Sequence, residues 1–153
     1  MHNDWAELSQ EIGQIPAITF SLLPPGLTSG RRLQHILANI ETWKKPYTCK
    51  FGYTAVPPHR WKHCKDAYVK DPHKWKVMVL LHVTLSSVDA GWLEAALISH
   101  HLGHPGNKNI LPGGDSIHNS TDMHDPFANS IYFTYVVFKS LIKPDVIKVR
   151  SRA

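Results

Sequence analysis

A chain of 153 residues that is 42% hydrophobic and 19% charged, with five Trp, five Tyr and five Phe, has the composition of one packed domain and excludes disorder or a long coiled coil. Two cysteines exclude a disulfide framework and point to a reducing compartment. Seventeen Lys and Arg against twelve Asp and Glu give a formal charge of +5, which suits an anionic partner such as nucleic acid, although a solvated basic surface accounts for it equally well.

The opening MHNDWAELSQ has neither a cationic nor an apolar signal region, and no run approaches the ~18 apolar residues of a membrane span. The expectation is an intracellular protein of cytoplasm or nucleus, not secreted and not in a membrane, or a domain of a longer chain. Eleven histidines raise the question of metal or acid-base chemistry.

In chain order, residues 1–30 read as an irregular N-terminal arm. Its one short apolar stretch, Ala17 to Leu23, is an edge strand or extended arm stopped by Pro24-Pro25-Gly26. From Arg31, apolar residues at Leu33, Ile36, Leu37, Ile40 and Trp43 predict one helix face ending at Lys44-Lys45-Pro46. Tyr47 to Thr54 alternates as a strand. Pro57-Pro58 then opens a short helix through Cys64, because proline suits a first helical turn.

Trp75 to Leu85 is a nearly unbroken apolar run, as expected of a central strand covered on both faces. Ser86 or Ser87 caps a helix over Val88 to Leu102, stopped by Gly103, with Glu94 at the edge of its buried face. Residues 103–129 have no period and read as a functional or disordered loop. Ile131 to Phe138 is a late strand, and residues 143–153 a basic tail. The organisation predicted is an arm (1–30), one α+β domain (31–142) with a small mixed or antiparallel sheet of about three strands or more flanked by helices, and the tail.

The strand end Lys50-Phe51-Gly52-Tyr53-Thr54 is followed, eight residues after the glycine, by Arg60-Trp61-Lys62-His63. Downstream, Glu94 lies in the helix Trp92-Leu93-Glu94-Ala95-Ala96-Leu97-Ile98, and Asn109 precedes Pro112-Gly113-Gly114. In order and spacing this resembles the second half of the signature of the GIY-YIG nuclease superfamily, over Tyr47 to Gly114. The resemblance implies a metal-dependent DNA endonuclease that hydrolyses phosphodiester bonds, one strand per active site. Glu94 would hold one Mg²⁺ or Mn²⁺ ion, Arg60 the phosphate, and Asn109 the metal shell or a phosphate oxygen, with Gly52, Gly113 and Gly114 as structural glycines. The implied partner is DNA, with RNA as the other candidate; such domains are often fused to a targeting domain, and a homodimer is the other arrangement expected.

The chemistry is consistent with those residue types. Phosphodiester hydrolysis needs a cation against the charge of the transition state, a proton acceptor for water and a Lewis acid at the leaving oxygen. Arg60 can clamp phosphate bidentately, and Glu94 suits a hard cation that takes only one or two protein carboxylates. The proton acceptor is His63, or Tyr53 or Lys50 where the site lowers its pKa. Lys45, Arg60, Trp61, Lys62 and Asn109 are the expected nucleic-acid contacts.

The chain also departs from the family pattern. Lys50 stands where the family has tyrosine, and Cys64 falls four residues after Arg60, with His63 one place early. No Gly-Ile-Tyr precedes residue 50. One repair is that Ser130-Ile131-Tyr132 of the late strand takes that place in the sheet, so that Tyr132, or Tyr135 beyond it, supplies the phenol.

Each residue also has an ordinary reading: Arg60 as a surface arginine, Trp61 as core, Glu94 as a solvated helix flank, and Gly52, Asn109 and the glycine pair as turn residues. Two further functional readings stay open. A catalytically inactive nuclease-like module would bind nucleic acid or protein through Lys44, Lys45, Arg60, Lys62, Lys65 and Lys70. Zinc is the lesser reading: His100, His101, His104, His118, His124, Cys49 and Cys64 include no Cys-x2-Cys pair. His82, inside the central strand, reads as a satisfied core histidine.

Overall fold

The computed structural model describes residues 5–43, 48–71, 74–102, 107 and 130–139. Helix α1 spans Trp5–Gly13, strand β1 Ile18–Phe20, helix α2 Ser29–Trp43 and strand β2 Cys49–Thr54; strand β3 spans Val77–Thr84, helix α3 Ser87–His101 and strand β4 Tyr132–Phe138. Between β2 and β3 lie a π-helical turn, His59–His63, and a 3-10 turn, Tyr68–Lys70. The four strands form one mixed sheet in the order β1-β3-β4-β2. β1 is parallel to β3, whereas β4 is antiparallel to both β3 and β2. The fold is therefore α+β, as the pattern predicts.

The sheet separates two apolar layers. On one side Phe51, Val79, Leu81 and Val136 pack against Ile36, Ile40 and Trp43 of α2 and Leu93, Leu97 and Ile98 of α3. On the other, Met78, Leu80, Phe133, Tyr135 and Val137 pack against Leu8 and Ile12 of α1, and against Trp61 and Tyr68 of the two short turns. The interior strands β3 and β4 thus need apolar groups at consecutive positions, which is why they read as unbroken runs.

Three boundaries follow from local chemistry. Thr28 accepts from the backbone N–H of Arg31 at 3.2 Å and caps α2, so that helix starts two residues before the predicted Arg31. Ser86 caps α3 by accepting from the N–H of Asp89 at 3.0 Å. Backbone bonds from Arg60 to Val56 and from Cys64 to His59 close the turn that Pro57-Pro58 opens.

The N-terminal reading needs correction. Residues 1–30 are not an irregular arm: Trp5–Gly13 is helical, and Ile18–Phe20 is a true edge strand paired with β3. Leu8 and Ile12, one turn apart, are fully buried, and the Trp5 ring stacks on Phe133 at 6.1 Å. A helix of this length is held by such tertiary contacts rather than by its own propensity, and the helical spacing of Trp5, Leu8 and Ile12 marks the face it turns to the sheet. The domain accordingly begins before residue 31. The expected stop at Gly103, most of the 103–129 loop and the basic tail lie outside the described residues.

Candidate functional site

Strand β2 carries Lys50, Gly52 and Tyr53, and alternation sends them to different layers. Gly52 pairs with Tyr135 across the β2–β4 ladder, and Lys50 with Val137, so both face the α1 layer. Gly52 is needed there because the Tyr135 phenol fills the space a Cβ would take. The Tyr135 hydroxyl lies 2.8 Å from that of Tyr68, and the Arg60 guanidinium lies over the Tyr68 ring at 4.4 Å. Arg60 Nη1 also donates to the carbonyl of Asp66 at 2.6 Å and to Cys64 Sγ at 3.8 Å.

Burial opposes the Arg60 charge, but the neighbouring Tyr135 and Tyr68 phenols and the Cys64 thiol outweigh it, so the guanidinium stays charged throughout the working pH range. Tyr135 is held as a neutral phenol, pushed well above the usual range by burial first and by Tyr68 next. Its ring feels two opposed charges: Arg60 draws its pKa down and Glu94 pushes it up.

The α3 layer holds the second group. Glu94 is only 2% exposed, so it lies within the buried face of α3 rather than at its edge. Tyr132 and Ala90 pack together with Tyr53 against them, and Thr134 donates to the Ala90 carbonyl at 2.9 Å, fixing α3 on the β2–β4 pair. Tyr53 lies against α3 at Gly91, within ordinary van der Waals range of the position a side chain there would take. Burial first, then the charge of Glu94 and the phenol of Tyr132, raise the Tyr53 pKa. This corrects the expectation of a lowered tyrosine pKa: near neutral pH Tyr53 is a hydrogen-bond donor and not a ready base.

The expected residues therefore fall into two sets. Tyr53, Glu94 and Tyr132 come together under α3, while Arg60 and Gly52 meet Tyr135 and Tyr68 on the opposite face. Tyr132 of β4 lies on the Glu94 face and Tyr135 on the Arg60 face, so the two charged residues stand on opposite faces of the sheet and neither tyrosine shares a face with both. Past α3 the chain returns to β2, where Asn107 bridges Cys49, two residues before Asn109.

Other expectations fare differently. Trp61 is 4% exposed in the α1-side core, so it is no stacking platform. His63 is turned outward toward Glu11 of α1, 3.7 Å away, and does not join Glu94. Lys62 and Lys65 are exposed, whereas Lys70 donates to the carbonyls of Cys64 at 3.1 Å and His63 at 3.4 Å, closing the end of the π-helical turn. Lys45, Asn109, Gly113 and Gly114 lie outside the described residues.

Cys49 and Cys64 sit in different layers, and His101 places Nδ1 2.8 Å from the Leu97 carbonyl, so these three do not converge on one ion. Among the described residues no group of three or more His, Cys, Asp or Glu is placed to hold a metal. Around Glu94 the described residues offer one carboxylate, 2% exposed, with the phenols of Tyr53 and Tyr132 nearby.

Sequence reasoning missed the Arg60–Tyr68–Tyr135 stack. Tyr68 has a weak signal in hindsight, as an aromatic between two charged stretches, but only the tertiary fold brings it to Tyr135, 67 positions away. No protein-family model, curated protein or solved structure matches the chain. No helix among the described residues is long and apolar enough to cross a membrane.

Proposed function

We propose that this chain is a divalent-metal-dependent endonuclease that hydrolyses DNA phosphodiesters along the β2 edge of the sheet. The observation that supports the reading is the Arg60 guanidinium stacked on Tyr68, which pairs with Tyr135 beside Gly52, with the buried Glu94 carboxylate on the other face of the same sheet. Phosphodiester hydrolysis asks for a cation at the phosphate and an oxygen ligand for a metal, and here Arg60 and Glu94 approach from opposite faces of the sheet, so the reading requires the phosphodiester to span the β2 edge between them.

In this reading Glu94 ligates Mg²⁺ or Mn²⁺, and the ion, when bound, supplies Lewis-acid stabilisation of the leaving oxygen. Arg60 uses Nη2 and Nε toward phosphate, because its hydrogen bonds among the described residues run from Nη1. Tyr53 and Tyr132 donate hydrogen bonds as neutral phenols. Lys50, two residues from Gly52 on the same face of β2, takes the proton-transfer role, and Lys62 and Lys65 add phosphate contacts. One such centre per chain cuts one strand, so a double-strand break requires a homodimer or two successive nicks.

A second reading is favoured by the engagement of Arg60 with Asp66 and Tyr68: an inactive module of the same architecture that binds nucleic acid through its exposed lysines. Supercoiled plasmid incubated with Mg²⁺ or Mn²⁺ separates the two. Nicking by wild type that EDTA and Glu94→Ala both abolish, with DNA binding retained by the variant, supports the nuclease. Salt-sensitive binding without nicking replaces it with the binding module, and the absence of both overturns the pair.

A further inference from the structure

Away from β2, the segment Leu22 to Gly26, the first turn of α2 and residues Leu81 to Val83 of β3 line a half-open cleft of about 240 Å³. Its lining is apolar apart from two side chains, Arg32 and His82. One wall is stiff before any ligand arrives: Pro24 and Pro25 have fixed φ, and Gly26 takes the turn at φ +92°. The cation is tethered, since Arg32 Nη2 donates to the Leu27 carbonyl at 3.3 Å.

The imidazole is held as well. His82 Nε2 lies 3.0 Å from Asp89 Oδ2, and the His82 side chain is only 12% exposed. The hydrogen bond from His82 holds the Asp89 carboxyl below its ordinary range, and the Thr84 hydroxyl and the charge of Arg32 act in the same direction. An ionised carboxylate only accepts, so Nε2 carries the proton and the ring is fixed in one orientation.

We propose that this cleft binds a small organic monoanion, a carboxylate on an aromatic or branched aliphatic body. Arg32 holds the carboxylate, His82 forms the polar edge, and Asp89 positions His82. Three observations select that class. An apolar cavity of roughly 150 Å³ accepts a benzene ring, so this volume accommodates a ring with one carboxylate and falls short of a drug-sized ligand. The side chains of Leu22, Leu23, Leu81 and Val83 give a hydrocarbon body a surface to pack on beside the polar part of the wall, which a bare ion would not use. Arg32 brings one positive charge and the Asp89 carboxylate lies within its field, so a singly charged ligand suits the cleft better than dianionic phosphate, which Asp89 repels more strongly. The preformed wall and tethered arginine keep the ordering cost of binding low.

Benzoate is the probe, titrated into the full chain by calorimetry, with benzamide and inorganic phosphate as controls. The expected result is saturable benzoate binding, weakened about tenfold or more in Arg32→Met and in benzamide, and no measurable phosphate binding. Leu22→Glu, on the exposed rim, provides a variant that keeps the fold and is expected to repel benzoate to a similar degree. Absence of benzoate saturation overturns the proposal, as does equal binding by wild type and both variants, or phosphate binding tighter than benzoate. Glu94→Ala leaves benzoate binding unchanged, so this result and that of the plasmid assay are independent.

Discussion

The phenol of Tyr135 covers Gly52, and the nearest atoms to a Cβ built on that glycine are the Tyr135 hydroxyl and ring. The residue opposite Gly52 in the ladder thus forbids a side chain at the point where the Arg60 stack meets β2. Gly52→Ala forces the ring away and disturbs the hydroxyl pair with Tyr68, at an expected cost of about 1–3 kcal/mol for overpacking. Urea denaturation checks it. In a Tyr135→Leu background the Gly52→Ala penalty shrinks, and equal penalties in the two backgrounds would show that the contact does not matter.

Tyr68 and Tyr135 share one hydrogen bond of 2.8 Å between two buried hydroxyls. Tyr68→Phe takes the partner from the Tyr135 hydroxyl, whose desolvation is already complete, and is expected to cost about 1–3 kcal/mol. Removing both hydroxyls leaves no such orphan. The double variant Tyr68→Phe/Tyr135→Phe therefore loses less stability than the sum of the single ones, a coupling that a double-mutant cycle reads directly.

What the sequence made legible depended on how far each signal was local. α2 and α3 were readable because Ile36, Ile40 and Trp43, or Leu93 and Leu97, repeat at helical spacing, and β3 and β4 because both their faces are buried. α1 was not, although Trp5, Leu8 and Ile12 share one helical face, because a segment of nine residues repeats that pattern too few times to stand out. In the candidate site, Glu94, Gly52 and Arg60 stand out through the resemblance to the GIY-YIG signature, but which face of the sheet each joins was hidden, because it is decided by where Trp61, Tyr68 and α3 pack. The direction of the Tyr53 pKa was hidden too, because it arises from burial and from the approach of Glu94 across the α3–sheet contact.

Acid stability should depend on Asp89. Its pKa is lowered in the fold by the His82 hydrogen bond, so its contribution is present above the unfolded carboxylate pKa of about 3.9 and is lost as pH falls through the folded value. Asp89→Asn therefore flattens the stability profile below about pH 4 and also weakens the His82 contact at neutral pH. Unfolding midpoints measured from pH 2 to 7 check this; parallel profiles for variant and wild type would remove Asp89 from the account.

At the alkaline end the sign reverses. Tyr53 and Tyr135 both have raised pKa values, chiefly through burial, so each stabilises the fold fully below the unfolded tyrosine value near 10 and loses that contribution as pH rises through the folded one. Tyr135, the more deeply buried, carries the larger share. Tyr135→Phe is expected to lower stability at pH 7 but to flatten its decline above pH 10, read by circular dichroism across that range. An unchanged alkaline slope would place the phenol in a more solvated setting.

Arg60 is where the two functional readings part most sharply, because its guanidinium both stacks on Tyr68 and carries the charge assigned to phosphate. Arg60→Lys keeps the charge but loses the planar fork and most of the stacking, an expected stability loss of about 1 kcal/mol. A lysine cannot reproduce bidentate phosphate contact, so nicking should fall at least about tenfold while the fold remains intact, measured well below the unfolding midpoint. A drop in stability with nicking unchanged would confine Arg60 to holding the turn after β2 and leave Glu94 as the charged centre of the reaction. Loss of nicking with DNA affinity retained would instead place Arg60 against the transition state, where its charge counts most.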